Sequence, residues 1–188
     1  MKRIIFIGLL LWAGLAKAAD VYTLDPMHTY VEWHISHFGF SEPTGKWMVK
    51  SGTVTLDKTK PQNSKVEATI QMDTLNTGLA ELDKHLKSPL FFDVVKYPTA
   101  TFVSNKVTVT GKNTAKVQGI LTLHGVSKPV VLNVKLNKAG VNPVSDKNTA
   151  GFDATTSLKR SDFGMKAYLP GLGDDVKIDI SAEANRAA

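Results

Sequence analysis

Apolar and polar residues alternate one by one along most of this chain, and a period of two commits a segment to a strand with one buried face. Val31, Trp33 and Ile35 alternate with Glu32, His34 and Ser36. Val54 and Leu56 alternate with threonines and Asp57, and Val66, Ala68, Ile70 and Met72 oppose Glu67, Thr69, Gln71 and Asp73. The pattern returns at Ala100–Ser104, Val107–Val109, Val117–Leu123, Val130–Leu136, Phe152–Leu158 and Val176–Ala182. Turn-forming runs such as Thr110-Gly111-Lys112-Asn113 and Gly140 to Pro143 separate these segments. About eight or nine short strands so spaced predict an antiparallel barrel or sandwich, not a parallel sheet with crossover helices. No longer internal repeat is present, which argues against a propeller or solenoid.

One stretch breaks the pattern. Between Thr77 and Tyr97, Leu79, Leu82 and Leu86 recur at helical spacing, with Thr77 placed to cap the first turn. Ser88-Pro89 can start a second short helix, because proline suits the first helical position. Leu90, Phe91 and Phe92 follow as an apolar cluster before Tyr97-Pro98 returns the chain to strand. A helical insertion over residues 78–95 is therefore expected at one end of the barrel.

The N-terminus carries an export pattern. Lys2 and Arg3 precede an apolar run from Ile4 to Leu15, and Ala16-Lys17-Ala18 follows as a small-x-small cleavage site. That run falls short of the ~20 residues that a membrane-spanning helix needs. Residues 1–18 are expected to be a secretory signal peptide, and residues 19–188 a single domain that neither spans nor inserts into a membrane. Cleavage removes three basic residues and no acidic one, lowering the net charge from +6 to +3. Much of the basic character thus belongs to the leader, which counts against nucleic acid as a partner. The chain has no cysteine, so disulfides, thiolate metal sites, iron–sulfur clusters and cysteine nucleophiles are excluded.

Catalytic and metal patterns are sparse. There is no G-x-S-x-G elbow, no P-loop and no dinucleotide fingerprint. His28, His34 and His37 look like a metal cluster in one dimension. On a regular strand, however, His34 and His37 face opposite ways, and His28 lies about 20 Å from His34 at roughly 3.3 Å per residue. His124, before Gly125, fits a turn-capping role. Arg160 and Asp162 can pair with each other at a barrel end or hold an anionic headgroup, and both readings stay open.

Several of these segments resemble the YceI-like family of polyisoprenoid-binding proteins. The resemblance rests on Tyr22-Thr23-Leu24-Asp25-Pro26-Met27-His28-Thr29, Val31-Glu32-Trp33 and His37-Phe38-Gly39. It continues through His85-Leu86-Lys87-Ser88, Phe91-Phe92-Asp93 and Tyr97-Pro98-Thr99-Ala100-Thr101-Phe102. Gly119 to Val130, Arg160-Ser161-Asp162-Phe163-Gly164-Met165 and Gly173 to Ile178 complete it, in order, over nearly all of the mature chain. Lys87 stands where the family more usually has arginine.

The resemblance implies a mainly β, lipocalin-like, extended antiparallel barrel of about eight strands, exported to the periplasm and paired as a homodimer. It implies a long-chain isoprenoid or acyl lipid as partner, without fixing which, and calls for no cofactor, metal or catalytic residue. Candidate ligand-contacting residues are Trp33, Ile35, His37, Phe38, Phe40, Trp47, Phe91, Phe92, Phe102, Arg160, Asp162, Phe163 and Met165. His28, His37, Arg160 and Asp162 are the polar candidates for a mouth, and Ala68, Ala100 and Ala154 would leave room inside. A lipid carrier, an enzyme acting on an apolar substrate, and an envelope stress protein with a side-chain-packed barrel all share this alternation. The family likeness favours the carrier.

Overall fold

Every neighbouring pair of strands runs antiparallel, and the sheet closes on itself. In the computed structural model, residues 19–186 are described. The elements are β1 (Asp20–Leu24), β2 (Tyr30–His37), β3 (Thr44–Leu56), β4 (Lys65–Gln71), α1 (Ala80–Lys87), β5 (Thr99–Gly111), β6 (Thr114–Leu123), β7 (Val126–Val141), β8 (Asn148–Lys159) and β9 (Leu172–Arg186). Short 3-10 turns occupy Pro61–Asn63, Met72–Thr74 and Arg160–Phe163. Strands β2 to β9 form a closed eight-stranded barrel, in which β3 pairs with both β2 and β4, and β9 with both β8 and β2. The expected signal segment, residues 1–18, lies outside the described residues.

The extra strand, β1, shares one barrel position with β2. Val21–Thr23 pair with Thr53–Thr55 of β3, and Tyr22–Leu24 pair with Ala184–Arg186 of β9. Further along the same two partners, Tyr30–His34 pair with Thr44–Met48, and Tyr30–Ile35 with Val176–Ser181. The two strands are therefore halves of a single stave, broken at Asp25–Thr29. The break is bridged by backbone: Asp25 N–H donates to Glu183 O, and Val49 N–H to Thr29 O. The buried Thr29 hydroxyl donates to Glu183 O. Alternation alone misses β1, because Val21 puts an apolar residue on the outer face.

Two β-bulges change which residues face inward. In β5 the register shifts between Ser104 and Lys106, so Ala100 and Phe102 face inward before it and Val107 after it. The two short segments expected at Ala100–Ser104 and Val107–Val109 are thus one bent strand. A second shift, between Val49 and Ser51 of β3, moves the inner set from Trp47 and Val49 to Val54 and Leu56.

The helical insertion is shorter than the spacing predicts. Only Ala80–Lys87 is α-helix, and Pro89–Lys96 is a series of turns without a second helix. Two local causes stop it. Ser88, preceding proline, is extended, as such residues prefer. The chain then doubles back, Phe92 N–H and Val94 N–H donating to the carbonyls of Leu86 and Lys87. At the other helix end, Leu79 is the cap residue rather than Thr77. Thr77 contributes differently, its N–H and hydroxyl both donating to Asp83 Oδ1 at 2.7 Å. Glu81 and Asp83 in the first turn and Lys84, His85 and Lys87 in the last complement the helix dipole.

Candidate functional site

The inner faces of the strands enclose an elongated cavity of about 890 Å³. Its wall is apolar nearly throughout. β2 contributes Val31, Trp33 and Ile35; β4 contributes Val66, Ala68 and Ile70; β7 contributes Val130, Leu132, Val134 and Leu136. Ala100, Ala154 and Ala182 place small side chains where a packed barrel would need large ones.

Burial changes along the barrel axis. Toward α1, the inward Trp33, Ile35, Trp47, Ile70, Met72 and Ala100 are all buried. Toward the β5–β6 turn, the inward Leu56, Val66, Val107, Ala115, Val134 and Leu136 are only half-buried, and Val109 is 47% exposed. Their strand neighbours are polar or charged, including Asp57 and Glu67, so their exposure is to the lumen. Tyr22, Ala150 and Ala184 pack one corner of this end. The β4–β7 side stays open, and the cavity there reaches Lys58, Lys65, Lys112 and Asn113.

The opposite end carries a cap. Leu82 and Leu86, one helical turn apart on α1, point into the cavity with Phe91 and Phe92 behind them. Phe92 meets Trp47 edge-on at 4.9 Å, Trp47 lies 6.2 Å from Trp33, and Phe91 lies 6.2 Å from Tyr168. Two glycines allow this packing. A Cβ on Gly45 would lie 2.6 Å from the Trp33 ring, and one on Gly171 would lie 2.4 Å from the Phe38 ring. The indole N–H groups of Trp33 and Trp47 are buried without an acceptor among the described residues.

Arg160 ties the Met165–Gly173 segment to the end of β8. It is 6% exposed, and its guanidinium donates to three backbone carbonyls: Nε to Gly173 O (2.7 Å), Nη1 to Met165 O (3.0 Å) and Nη2 to Leu172 O (2.9 Å). Burial lowers its pKa, and the nearby Asp174 charge opposes that. Burial also works against the Asp174 charge, but the N–H and hydroxyl of Ser161 hold that carboxyl below its ordinary value. His124, in a left-handed conformation at the β6–β7 turn, bonds through Nδ1 to Phe163 O at 3.0 Å. Its role is the turn-linking one.

Of the residues singled out from sequence, Trp33, Ile35, His37, Phe38, Trp47, Phe91, Phe92, Phe102, Arg160, Phe163 and Met165 line the cavity. Phe40 does not. It sits at the tip of the β2–β3 turn, 91% exposed, because the chain turns at Phe38-Gly39 and His37 pairs back to Ser41. Asp162 is also outside the wall. It is exposed on the Arg160–Phe163 turn, which replaces the strand that would have set both side chains on one face. Arg160 is committed to carbonyls, so neither the Arg160–Asp162 ion pair nor an Arg160 headgroup clamp is formed. The lower wall, from Val107 through Leu136 to Phe152, was missed as a site, although its alternation was legible.

His28 belongs to the stave break, not to a mouth. Its Nδ1 lies 2.8 Å from Asp25 Oδ2, and that hydrogen bond raises the His28 pKa and lowers that of Asp25. With Glu183 these two form the one group of metal-compatible atoms within 4.8 Å of one another among the described residues. His34 and His37 are not in it. The His28 contribution to stability is present below the ordinary imidazole pKa and is lost as pH rises through the raised value. The Asp25 contribution is present above the ordinary carboxyl pKa and is lost as pH falls through the lowered one. The expected result in an NMR titration is a His28 midpoint above that of a free imidazole. Asp25→Asn should bring it down, and no movement would mean that the pair is not formed in solution.

The comparisons agree with this geometry. A family model described as a YceI-like domain matches residues 22–184. A UPF0312 protein of Pseudomonas putida is 44% identical over 177 residues, spanning 93% of this chain and 90% of its relative. Burkholderia cenocepacia BcnA superposes with a TM-score of 0.75 at 24% identity, covering 85% of this chain and 98% of that one. A Saccharophagus degradans domain described as polyisoprenoid-binding superposes with a TM-score of 0.63 at 16% identity, over 91% of this chain and all of that one. With a closed eight-stranded barrel, one extra strand and a single helix, and with a match running from β1 to β9, the chain belongs to the YceI-like family.

Proposed function

We propose that this protein carries or stores a long apolar lipid with a small polar head, of the polyisoprenoid or acyl class, inside the barrel. One observation carries the reading: toward the β5–β6 turn the inward Val66, Val107, Ala115, Val134 and Leu136 are apolar yet half-exposed and line the cavity, whereas Phe102, Val117 and Val130 further in are buried in a cluster. A packed barrel would bury them. Removing such a chain from water is favourable by about 25 cal/mol per Å² of apolar surface and needs little directional bonding. The ligand class named for the Saccharophagus degradans neighbour supports the same chemistry. Binding rather than catalysis fits a wall with so few polar groups.

The site of action we infer is the periplasm. Support comes from Lys2-Arg3, the apolar run after them and Ala16-Lys17-Ala18. Among the described residues no helix is long and apolar enough to cross a membrane. A homodimer is the assembly the family likeness suggests. The outward Val103 and Ile120, paired across β5 and β6, and Val131 on β7 offer it an apolar patch.

Native mass spectrometry of the protein purified from the periplasm, with organic extraction of its cargo, tests this reading. The expected result is a discrete added mass, about one per subunit, that extracts as an isoprenoid or acyl lipid. A bare polypeptide that also refuses added polyprenols, quinones and fatty acyl chains would sink it.

A further inference from the structure

The open end of the barrel differs in charge from the capped end. Three connections meet there, because the antiparallel order brings β3–β4, β5–β6 and β7–β8 to the same rim. They carry Lys58, Lys60, Lys112 and Lys147, and Lys65 opens β4 beside them. Two of the acidic groups nearby are already committed, while Asp146, beside Lys147, is exposed. Asp20 is buried between Lys58 and Arg186, and Asp57 accepts from the N–H and hydroxyl of Thr59 and the N–H of Lys60. Among the described residues, Lys60, Lys65, Lys112 and Lys147 have no carboxylate within ion-pair distance. The capped end carries Glu81, Asp83, Asp93, Asp162, Asp174 and Asp175 together with Lys84, Lys87, Lys96, Lys159, Arg160 and Lys166, so its charges nearly cancel.

Apolar side chains stand among these lysines. Val144, at the tip of the β7–β8 turn, is 92% exposed, and Val141 and Val109 are about half exposed. The lysines are too dispersed for one small anion. Val66 lies level with Ser104, and Lys112 is eight residues further along the β5–β6 hairpin, which at 3.3 Å per residue puts Lys65 and Lys112 on the order of 20 Å apart. A single phosphate does not meet both.

We propose that this lysine-rimmed end docks onto an anionic lipid bilayer, with the β7–β8 tip dipping into the headgroup layer and the cavity opening toward the membrane. The inference rests on the lipid-carrying reading for its purpose, since cargo could then pass without crossing water. Its physical basis is separate. Each lysine near an anionic surface strengthens binding by roughly fivefold, and exposed apolar tips add contact in the interface. The excess of unpaired lysines at the open end, against nearly balanced charge at the capped end, orients the approach.

The chain has no cysteine, so a single introduced one can carry an environment-sensitive fluorophore without ambiguity. Val144→Cys labels the open end, and Val95→Cys, at an equally exposed position by the cap, labels the other. With phosphatidylcholine–phosphatidylglycerol vesicles the Val144 label is expected to shift to the blue and the Val95 label to stay unchanged. Flotation with those vesicles should weaken at least about tenfold in the triple variant Lys60→Glu, Lys65→Glu, Lys112→Glu. The triple variant Lys84→Glu, Lys87→Glu, Lys166→Glu, with the same charge change at the capped end, should lose far less. Pure phosphatidylcholine vesicles should bind weakly.

Equal loss in both triple variants, or equal shifts of both labels, would overturn the docking face. Loss of affinity for a phosphorylated lipid with vesicle binding unchanged would also overturn it, in favour of a headgroup site. Cargo binding is read separately, by displacement of a fluorescent fatty acid in vesicle-free solution. Failure there with oriented docking intact would count against the carrier and not against the surface.

Discussion

Arg160→Met is expected to lower the thermal midpoint by about 10 °C, although it removes no ion pair with a direct carboxylate partner. The guanidinium donates to three carbonyls at 2.7 to 3.0 Å, that of Met165 buried and those of Leu172 and Gly173 part-buried. Each buried carbonyl left without a donor costs about 1–3 kcal/mol, and methionine fills the volume while donating nothing. A total of about 4 kcal/mol in a domain of this size corresponds to roughly 2–4 °C per kcal/mol. Arg160→Lys should fall between, since one ammonium cannot fork across three acceptors. Asp162→Ala is the control: that carboxyl is exposed on the same turn and should change stability by no more than about 0.5 kcal/mol. Calorimetry distinguishes these. A midpoint for Arg160→Met within two degrees of the parent would show that Arg160 does not pin the Met165–Gly173 segment. The same variant should also release bound lipid faster, because Phe163 and Met165, next to the segment that Arg160 holds, line the cavity.

Arg160 also shows where residue types mislead. An arginine two residues from an aspartate suggests an ion pair on a strand face. The strand instead ends at Lys159, and the Arg160–Phe163 turn that follows closes on Gly164 with a positive φ of 84°. Nothing in the period-two pattern marks that stop. Phe40 teaches the same lesson, since an aromatic beside a hairpin turn reads like its inward neighbours until the turn is placed. By contrast, the strands other than β1 were legible, because inward and outward positions must alternate wherever one face is buried, although alternation alone left barrel and sandwich open. Even the β5 bulge left a trace, in the change of apolar phase between Phe102 and Val107. The gap between β1 and β2 left none. That Asp25–Thr29 divides one stave follows from long-range pairing with β3 and β9, which no local pattern contains. Alternation is also silent on whether inward residues meet each other or a void, so the openness of the lumen had to come from burial.

That openness sets up a test requiring no knowledge of the natural ligand. Ala68 and Ala154 face the cavity from β4 and β8. In a packed barrel, adding a phenyl ring at either position would cost about 1–3 kcal/mol, occasionally more, through forced rotamers and backbone shifts. In an open lumen the ring has space, gains contacts and leaves the fold near its original stability. We expect Ala68→Phe and Ala154→Phe each to stay within about 1 kcal/mol of the parent in urea denaturation, and the double variant to remain folded. Binding should respond in the opposite sense. A ring that displaces ~100 Å² of ligand–wall contact removes about 2.5 kcal/mol, roughly a 70-fold loss of affinity for a polyprenol or fluorescent fatty acid. The two readouts must diverge for the lumen to be the binding site: stability kept, affinity lost. Variants that unfold would instead indicate a filled barrel, while variants that fold and bind as the parent does would place the lipid somewhere other than between β4 and β8.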